Sequence, residues 1–497
     1  VGLAWDPFGT GKTSIRANYR VAYDRINTFV ISSTIFQSAP GATLAVLNDS
    51  FGQAGGRIRD GLPTIAPPPG ITPEQFRQPA AFSNSTLTVL DSSWRTPKTH
   101  QWGVSFQREI GFNSVFQVNY IGNRGVGLFG GYDINQIDIF NNGFLEAFKV
   151  VQAGGESQLI NDLLSRDTRR RANESGSQMV RRLSASDLSL NSVAGLANSI
   201  ATRLQGGVPV HVLAGFSPFF FKPYPQFGSL FVLDSNDYSN YNALELQVQR
   251  RYQNGLSFQF SYTLSASRDT RSFDPAFTRV STGSAQSAGS TPFDLRDRSI
   301  NYAYSDFDAR HVFQGGFLAE IPVGRNRRWG NDWHPAIDRI LGGWEIAGTY
   351  RQQTGRPFTI YSGANTVSNV VQSPANCNGC DPDMGEIRIN PENGIPFFFT
   401  EGQIEQFSTP GPGELGNTGR NGFRAPGRVN LDLMIGKRTR IIEGHDLEFR
   451  VEMINATNTP SYGLPNSAVI TSSLFGRVFN SFVSSSRKIQ LGLKYNF

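Results

Sequence analysis

The segment NYNALELQVQRRYQNGLSFQFSYTLSAS, residues 240–267, constrains the fold more than any other part of the chain. Leu244, Leu246 and Val248 fall on one side of an extended chain, and Glu245, Gln247 and Gln249 on the other. After Asn254-Gly255, the residues Leu256, Phe258, Phe260 and Tyr262 alternate with Ser257, Gln259 and Ser261. Strand side chains alternate between faces, and Asn-Gly accepts the positive φ of a tight hairpin turn. The segment therefore predicts a β-hairpin with one apolar and one polar surface.

The plan recurs. Val429, Leu431, Leu433 and Ile435 precede a short connection to Leu447, Phe449, Val451 and Met453, with Glu448, Arg450 and Glu452 between them. Trp102, Val104 and Phe106 are answered by Phe116, Val118 and Tyr120. Further pairs occupy about 1–24 and about 309–353, and the chain ends on one more alternating run, giving about eleven strands of roughly 10 residues, a length that suits a tilted span of a bilayer. Short turns alternate with long polar loops at about 25–97, 124–238, 268–307, 355–426 and 458–484, the layout of an outer-membrane barrel with its loops on one rim. Within the second loop, Phe144, Leu145, Phe148 and Val151 share one helical face.

Composition agrees. Hydrophobic residues make up 38% of 497, with 52 Gly and 38 Phe. No run approaches ~18 consecutive apolar residues, which excludes a transmembrane helix but not membrane strands. The formal charge of +6 is mild for this length and points away from nucleic acid. With an odd strand count, the first and last strands run the same way and cannot close an antiparallel seam. Further strands upstream are therefore expected. The absence of a signal peptide before WDPFGTGKTS is expected on the same ground.

A set of stretches now carries a family resemblance: WDPFGTGKTSIRANYRVAYDR, VNYIGNRGVGL, NNGFLEAFKVVQAGG, PYPQFG, DARHVFQGGF, GWEIAGTYRQQTGRPFTI, GELGNTGRNGFRAPGRVNLDLMIGKRTR and FRVEMINATNTPSYGLP, with the hairpin above and the terminal LKYNF. Their order and spacing over nearly the whole chain resemble the C-terminal part of Oar-like TonB-dependent transporters. The resemblance implies a barrel of about 22 strands, plugged by an N-terminal domain. It also implies TonB as a periplasmic partner and passage of a large, unidentified ligand. The plug, the TonB box and the N-terminal carboxypeptidase-regulatory-like domain of that family have no counterpart here. Tyr495 and Phe497 resemble the terminal aromatic signal read by the barrel-assembly machinery, and as amphipathic aromatics they suit a membrane interface.

Other motifs have plainer readings. GTGKTS at 9–14 lacks the first glycine of a phosphate-binding loop, since that position is Asp6, and turn chemistry accounts for it. Cys377 and Cys380 form a lone CxxC. A local disulfide in an oxidising compartment, half of a metal site and free thiols all fit, the first best. Asp381, Asp383 and Glu386 follow without EF-hand spacing. Arg169, Arg170, Arg171, Arg181 and Arg182 could meet lipopolysaccharide phosphates, nucleic acid or only water. FSPFFFKPYPQFGSLF, residues 216–231, either packs a loop or exposes aromatics to sugars or peptides. No nucleophile–base–orienter set stands out, so neither catalysis nor a cofactor or metal is expected. The sequence predicts an all-β transmembrane antiparallel barrel that receives a ligand at its long loops. A passive porin or adhesin, and a soluble carbohydrate-binding module, are the competing readings.

Overall fold

The computed structural model describes residues 1–25, 82, 86–272, 291–465, 469–478 and 486–497. Eleven strands form one continuous antiparallel sheet in chain order. They are β1 (Gly2–Trp5), β2 (Thr13–Tyr23), β3 (Lys98–Gly111), β4 (Ser114–Asp133), β5 (Ser229–Gln253), β6 (Leu256–Asp269), β7 (His311–Glu320), β8 (Trp344–Gln353), β9 (Arg428–Ile442), β10 (His445–Ile454) and β11 (Lys488–Asn496). Each strand pairs with its sequence neighbours, and among the described residues β1 and β11 are the two edges.

The predicted hairpin is present. Gln253 pairs with Leu256 across Asn254 (φ 54°) and Gly255 (φ 76°). Both turn residues lie in the left-handed region, which matches the turn twist to the strand twist. Register then aligns the apolar positions of all strands. Ile15, Phe106, Val118, Leu246, Tyr262 and Phe313 form one cross-strand row. Phe258, Phe317, Gly348, Leu433, Met453 and Ile489 form another. These side chains point away from the polar surface and many stay open to the surroundings; Leu491 is 68% and Leu493 71% exposed. A one-residue slip anywhere would move a whole strand to the wrong face. The opposite surface carries Arg16, Ser105, Asn119, Glu245 and Thr263 in one row, with Asn119 Nδ2 donating to Glu245 at 3.1 Å.

Tyrosine–histidine pairs mark both ends of the apolar band. The hydroxyls of Tyr19 and Tyr262 lie 2.7 Å from Nδ1 of His100 and His311 near the long-loop rim. Tyr495 lies 2.6 Å from His445 at the short-turn rim. Such amphipathic groups suit an apolar–aqueous boundary.

The structure corrects the expected loop 124–238. β4 continues to Asp133 and β5 begins at Ser229, so both strands rise well beyond the predicted ends. Register shifts between Val126 and Leu128, and between Leu128 and Gly130, break the two-residue period there, and the glycines of VGLFGG hide the pattern. Leu230, Phe231, Val232 and Leu233 are buried, as befits strands enclosed by loops rather than facing one apolar medium.

Candidate functional site: a cap of packed loops

Among the described residues, long connections fold over one rim. Between β4 and β5 lie six short helices: α1 (Phe144–Gln152), α2 (Gln158–Leu163), α3 (Gly176–Leu183), α4 (Ala185–Ser189), α5 (Val193–Ala201) and α6 (Val210–Leu213). α1 buries Phe144, Phe148 and Val151, the face expected from the sequence, together with Ala147. α3 begins with a capping box between Ser175 and Gln178, which satisfies two backbone donors. The helices enclose an apolar core that includes Ile160, Leu163, Leu196, Ile200 and Phe221.

A second core joins the β8–β9 loop to the β10–β11 loop through Phe358, Phe398, Phe399, Phe407, Phe423, Phe475 and Val478. A third brings Phe293 of the β6–β7 loop against Tyr361, Val370 and Val371. Hydrogen bonds fasten the helical loop to its neighbour. Ala194 N donates to Asn365 O at 2.9 Å. Ile137 N donates to Asn369 Oδ1 at 2.9 Å, and Asn191 Nδ2 to Pro410 O at 2.8 Å. The described parts of the β4–β5, β6–β7, β8–β9 and β10–β11 loops are thus one packed body.

Paired charges join this body to the strands. Arg420 and Asp269 are each about 4% exposed at the side chain, with Arg420 NH2 2.8 Å from Asp269 Oδ1. Arg420 also donates to the carbonyls of Asp269 and Asn301 and to Ser272 Oγ. Arg424 meets Asp308 at 2.7 Å, Arg271 meets Asp237 at 2.8 Å and Arg298 meets Asp234 at 2.7 Å. Buried ion pairs seldom add net stability, but an unmatched partner is costly, so they enforce one arrangement of loop on strand. Arg420 and Arg424 lie within GNTGRNGFR; Asp269 ends β6 and Asp308 precedes β7, while Asp234 and Asp237 lie inside β5. The sequence gives no sign of which arginine meets which aspartate, because the partners are up to 151 residues apart.

The individually predicted residues are placed as follows. Cys377 and Cys380 are bonded through sulfur, Cα atoms 5.7 Å apart, beside the phenylalanine core of the β8–β9 loop. Tyr495 and Phe497 stack at the end of β11 with ring centroids 6.0 Å apart, and Phe497 is 93% exposed. The arginine cluster is largely spent on acids of its own loop: Arg169 on Asp167, Arg181 on Glu156 and Arg182 on Glu174. Hydrogen bonds from Arg182 hold the Glu174 carboxyl at about 2. The aromatic run is mostly packing. Phe221 is buried, Phe216 and Phe220 lie against the helical core, and Phe219 and Tyr224 stay exposed. GTGKTS covers the end of the β1–β2 turn and the first two residues of β2, and in the turn Asp6 Oδ2 accepts from Gly11 N at 2.7 Å. Asp381 accepts from Asp383 N, and Glu386 lies 3.8 Å from Arg388.

The sequence profile of the outer membrane beta barrel domain family matches residues 1–490. The chain belongs to that family. Its apolar surface is therefore the lipid-facing side of an outer-membrane barrel wall, and its polar surface is the lumen side. No curated protein matches it. Among solved structures, it is similar to the outer membrane transporter YddB from Escherichia coli, with 10% identity over 100% of this chain and 40% of that one and a TM-score of 0.39. It is also similar to BauA, the ferric preacinetobactin receptor from Acinetobacter baumannii, at 10% identity over 100% of this chain and 36% of that one, TM-score 0.36. A third is the pyoverdine outer membrane receptor FpvA from Pseudomonas aeruginosa PAO1, at 9% identity over 100% of this chain and 35% of that one, TM-score 0.35. The chain spans 40% or less of the length of these three proteins.

Proposed function

We propose that this outer-membrane barrel chain supplies strands and outer loops of an Oar-like TonB-dependent receptor. A large ligand binds at the loop cap and passes through the lumen, with work drawn from the inner membrane through TonB. The observation that supports the reading is the cap itself: above one rim, the described parts of three long loops share apolar cores, the helical loop is hydrogen-bonded to one of them, and buried ion pairs hold loops to strands. A preorganised mouth of this kind loses little conformational entropy on binding. A passive pore gains nothing from covering its own opening.

The test uses the full-length protein in planar bilayers. A receptor of this kind conducts little until it is unplugged, and its periplasmic part cross-links to TonB. A stable open conductance with no TonB cross-link would establish the passive-barrel reading instead. On the same proposal, β11 with Tyr495 and Phe497 is the segment presented to the assembly machinery. Deleting residues 488–497 should leave the full-length protein outside the outer membrane. Normal heat-modifiable barrel in that fraction would count against it.

A further inference from the structure

The connection between β7 and β8, residues 321–343, carries a helix at the short-turn rim, α7 (Pro335–Leu341). Its seven residues are too few to hold a helix alone in water. Local contacts hold this one: Pro335 presets the first turn, His334 Nδ1 accepts from Ala336 N at 3.3 Å, and Asp338 Oδ1 accepts from Arg325 N at 2.7 Å. Apart from half-buried Asp338, every residue of α7 is exposed. Ile337, Ile340 and Leu341, at i, i+3 and i+4, share one face and are 45%, 67% and 50% exposed. Arg339 falls on the opposite side of the helix. Three large aliphatic side chains on one uncovered face call for a partner.

The sheet shows which medium that face meets. Lys437 shares the outward side of β9 with Leu433 and Ile435, and its cross-strand neighbours are Trp344 and Phe449. Its ammonium donates at 2.5 Å to Gly342 O, the carbonyl just past α7. The end of α7 thus sits beside the lipid-facing surface of the wall and away from the lumen, with the Trp344 ring centroid 5.1 Å from Lys437 Nζ at the joint. Short turns of an outer-membrane barrel face the periplasm, where the leaflet consists of glycerophospholipid. Residues 321–343 carry Arg325, Arg327, Arg328 and Arg339 against two acids, Asp332 and Asp338. Arg327 meets Glu320 at 2.7 Å, and among the described residues no acid pairs with the other three. Arg325, Arg339, Ile441 and Ile442 line an open groove of about 420 Å³ between α7 and the end of β9; Arg438 and Arg440, in the same walls, are paired with Asp446 and Glu443.

We infer that α7 is an interfacial anchor on anionic phospholipid: Ile337, Ile340 and Leu341 enter the acyl chains of the periplasmic leaflet, and Arg325, Arg328 and Arg339 lie at the level of the headgroup phosphates. An amphipathic helix lying in the interface plane buries its apolar face in this way, and basic side chains beside it favour acidic headgroups. Exposed Trp329, with the Arg328 guanidinium 5.5 Å from its ring centroid, suits the same level. The inference depends only on the barrel wall in its membrane and holds for a receptor and a passive pore alike.

The test places a bimane fluorophore on Ile340→Cys, or on Arg339→Cys as the control, in the full-length protein in liposomes. Cys377 and Cys380 are bonded to each other and do not react, and any other free thiol is replaced beforehand. The liposomes carry an equal fraction of either phosphatidylcholine or phosphatidylglycerol with brominated acyl chains, and heat-modifiable mobility checks that each variant is folded. Bromolipid should quench the probe at position 340, and aqueous iodide the probe at position 339. Brominated phosphatidylglycerol should quench position 340 at least ~2-fold more than brominated phosphatidylcholine. The triple change Arg325→Gln, Arg328→Gln and Arg339→Gln should abolish that preference and leave quenching by phosphatidylcholine in place. A probe at 340 reached by iodide and not by bromolipid would overturn the proposal, because the face would then lie in water. A probe shielded from both would overturn it in favour of a protein partner on that face. Equal quenching by the two lipids would overturn the assignment to anionic headgroups.

Discussion

His211 illustrates how much one side chain's surroundings alter its chemistry. Its folded proton affinity, at about 4, lies well below the ordinary histidine value because burial disfavours the charged ring. An unfolded chain therefore binds the proton more readily, and stability is lost as pH falls from the unfolded value toward the folded one. Between about pH 7.5 and about pH 4.5, His211 should cost the helical loop ~2–3 kcal/mol. His211→Gln, which does not titrate, should lose that much less over the same interval when unfolding is followed by denaturant titration. Identical pH profiles for the two proteins would show that the ring titrates normally. Nothing in the sequence around PVHVLAG distinguishes this histidine from the other four, because the cause is the packing of Phe221 from a later segment.

A strand in this sheet has two environments, and β9 shows the contrast within adjacent positions. Leu433 faces outward between Gly348 and Met453, while Met434 faces the lumen between Ala347 and Glu452. Leu433→Lys should cost ~2–4 kcal/mol and Met434→Lys ~0–1 kcal/mol, measured by urea unfolding in liposomes. Equal costs would mean that the register is displaced. This part of the fold was legible in the sequence, because a two-residue period needs no knowledge of partners. β4 and β5 show where legibility fails. Their upper ends carry bulges and glycines, and their burial comes from the loops above them, so their sequence reads as loop. The helix α1 was legible for the same reason as the strands: Phe144, Phe148 and Val151 repeat at its period.

The assembled molecule is a wall and a cap held together by a few charged joints. Arg420 is the most connected of them, tying the β8–β9 loop to the end of β6 and to the loop after it. Arg420→Met leaves Asp269 buried without its main partner, and the loss should be ~3–5 kcal/mol of cap stability. Limited proteolysis of the protein in its membrane should then cut the loop residues 354–427 much faster while the strands stay protected. Replacing Asp269 by Leu in the same protein should recover part of the loss, since no lone charge remains. Unchanged cleavage in Arg420→Met would show that the apolar cores alone hold the cap.

The strands, their faces, their tight turns and the rim on which the long loops emerge are all encoded locally. Each of these depends on residues within a few positions of one another: alternation sets the faces, Asn254-Gly255 sets a turn, and faces plus turns set the register. Tertiary packing alone brings the described long loops into one body, joins Arg420 to Asp269 and leaves His211 buried without a hydrogen-bond partner. Those features join segments far apart in the chain, and apolar burial, being non-directional, leaves no local pattern to say which distant surfaces will meet.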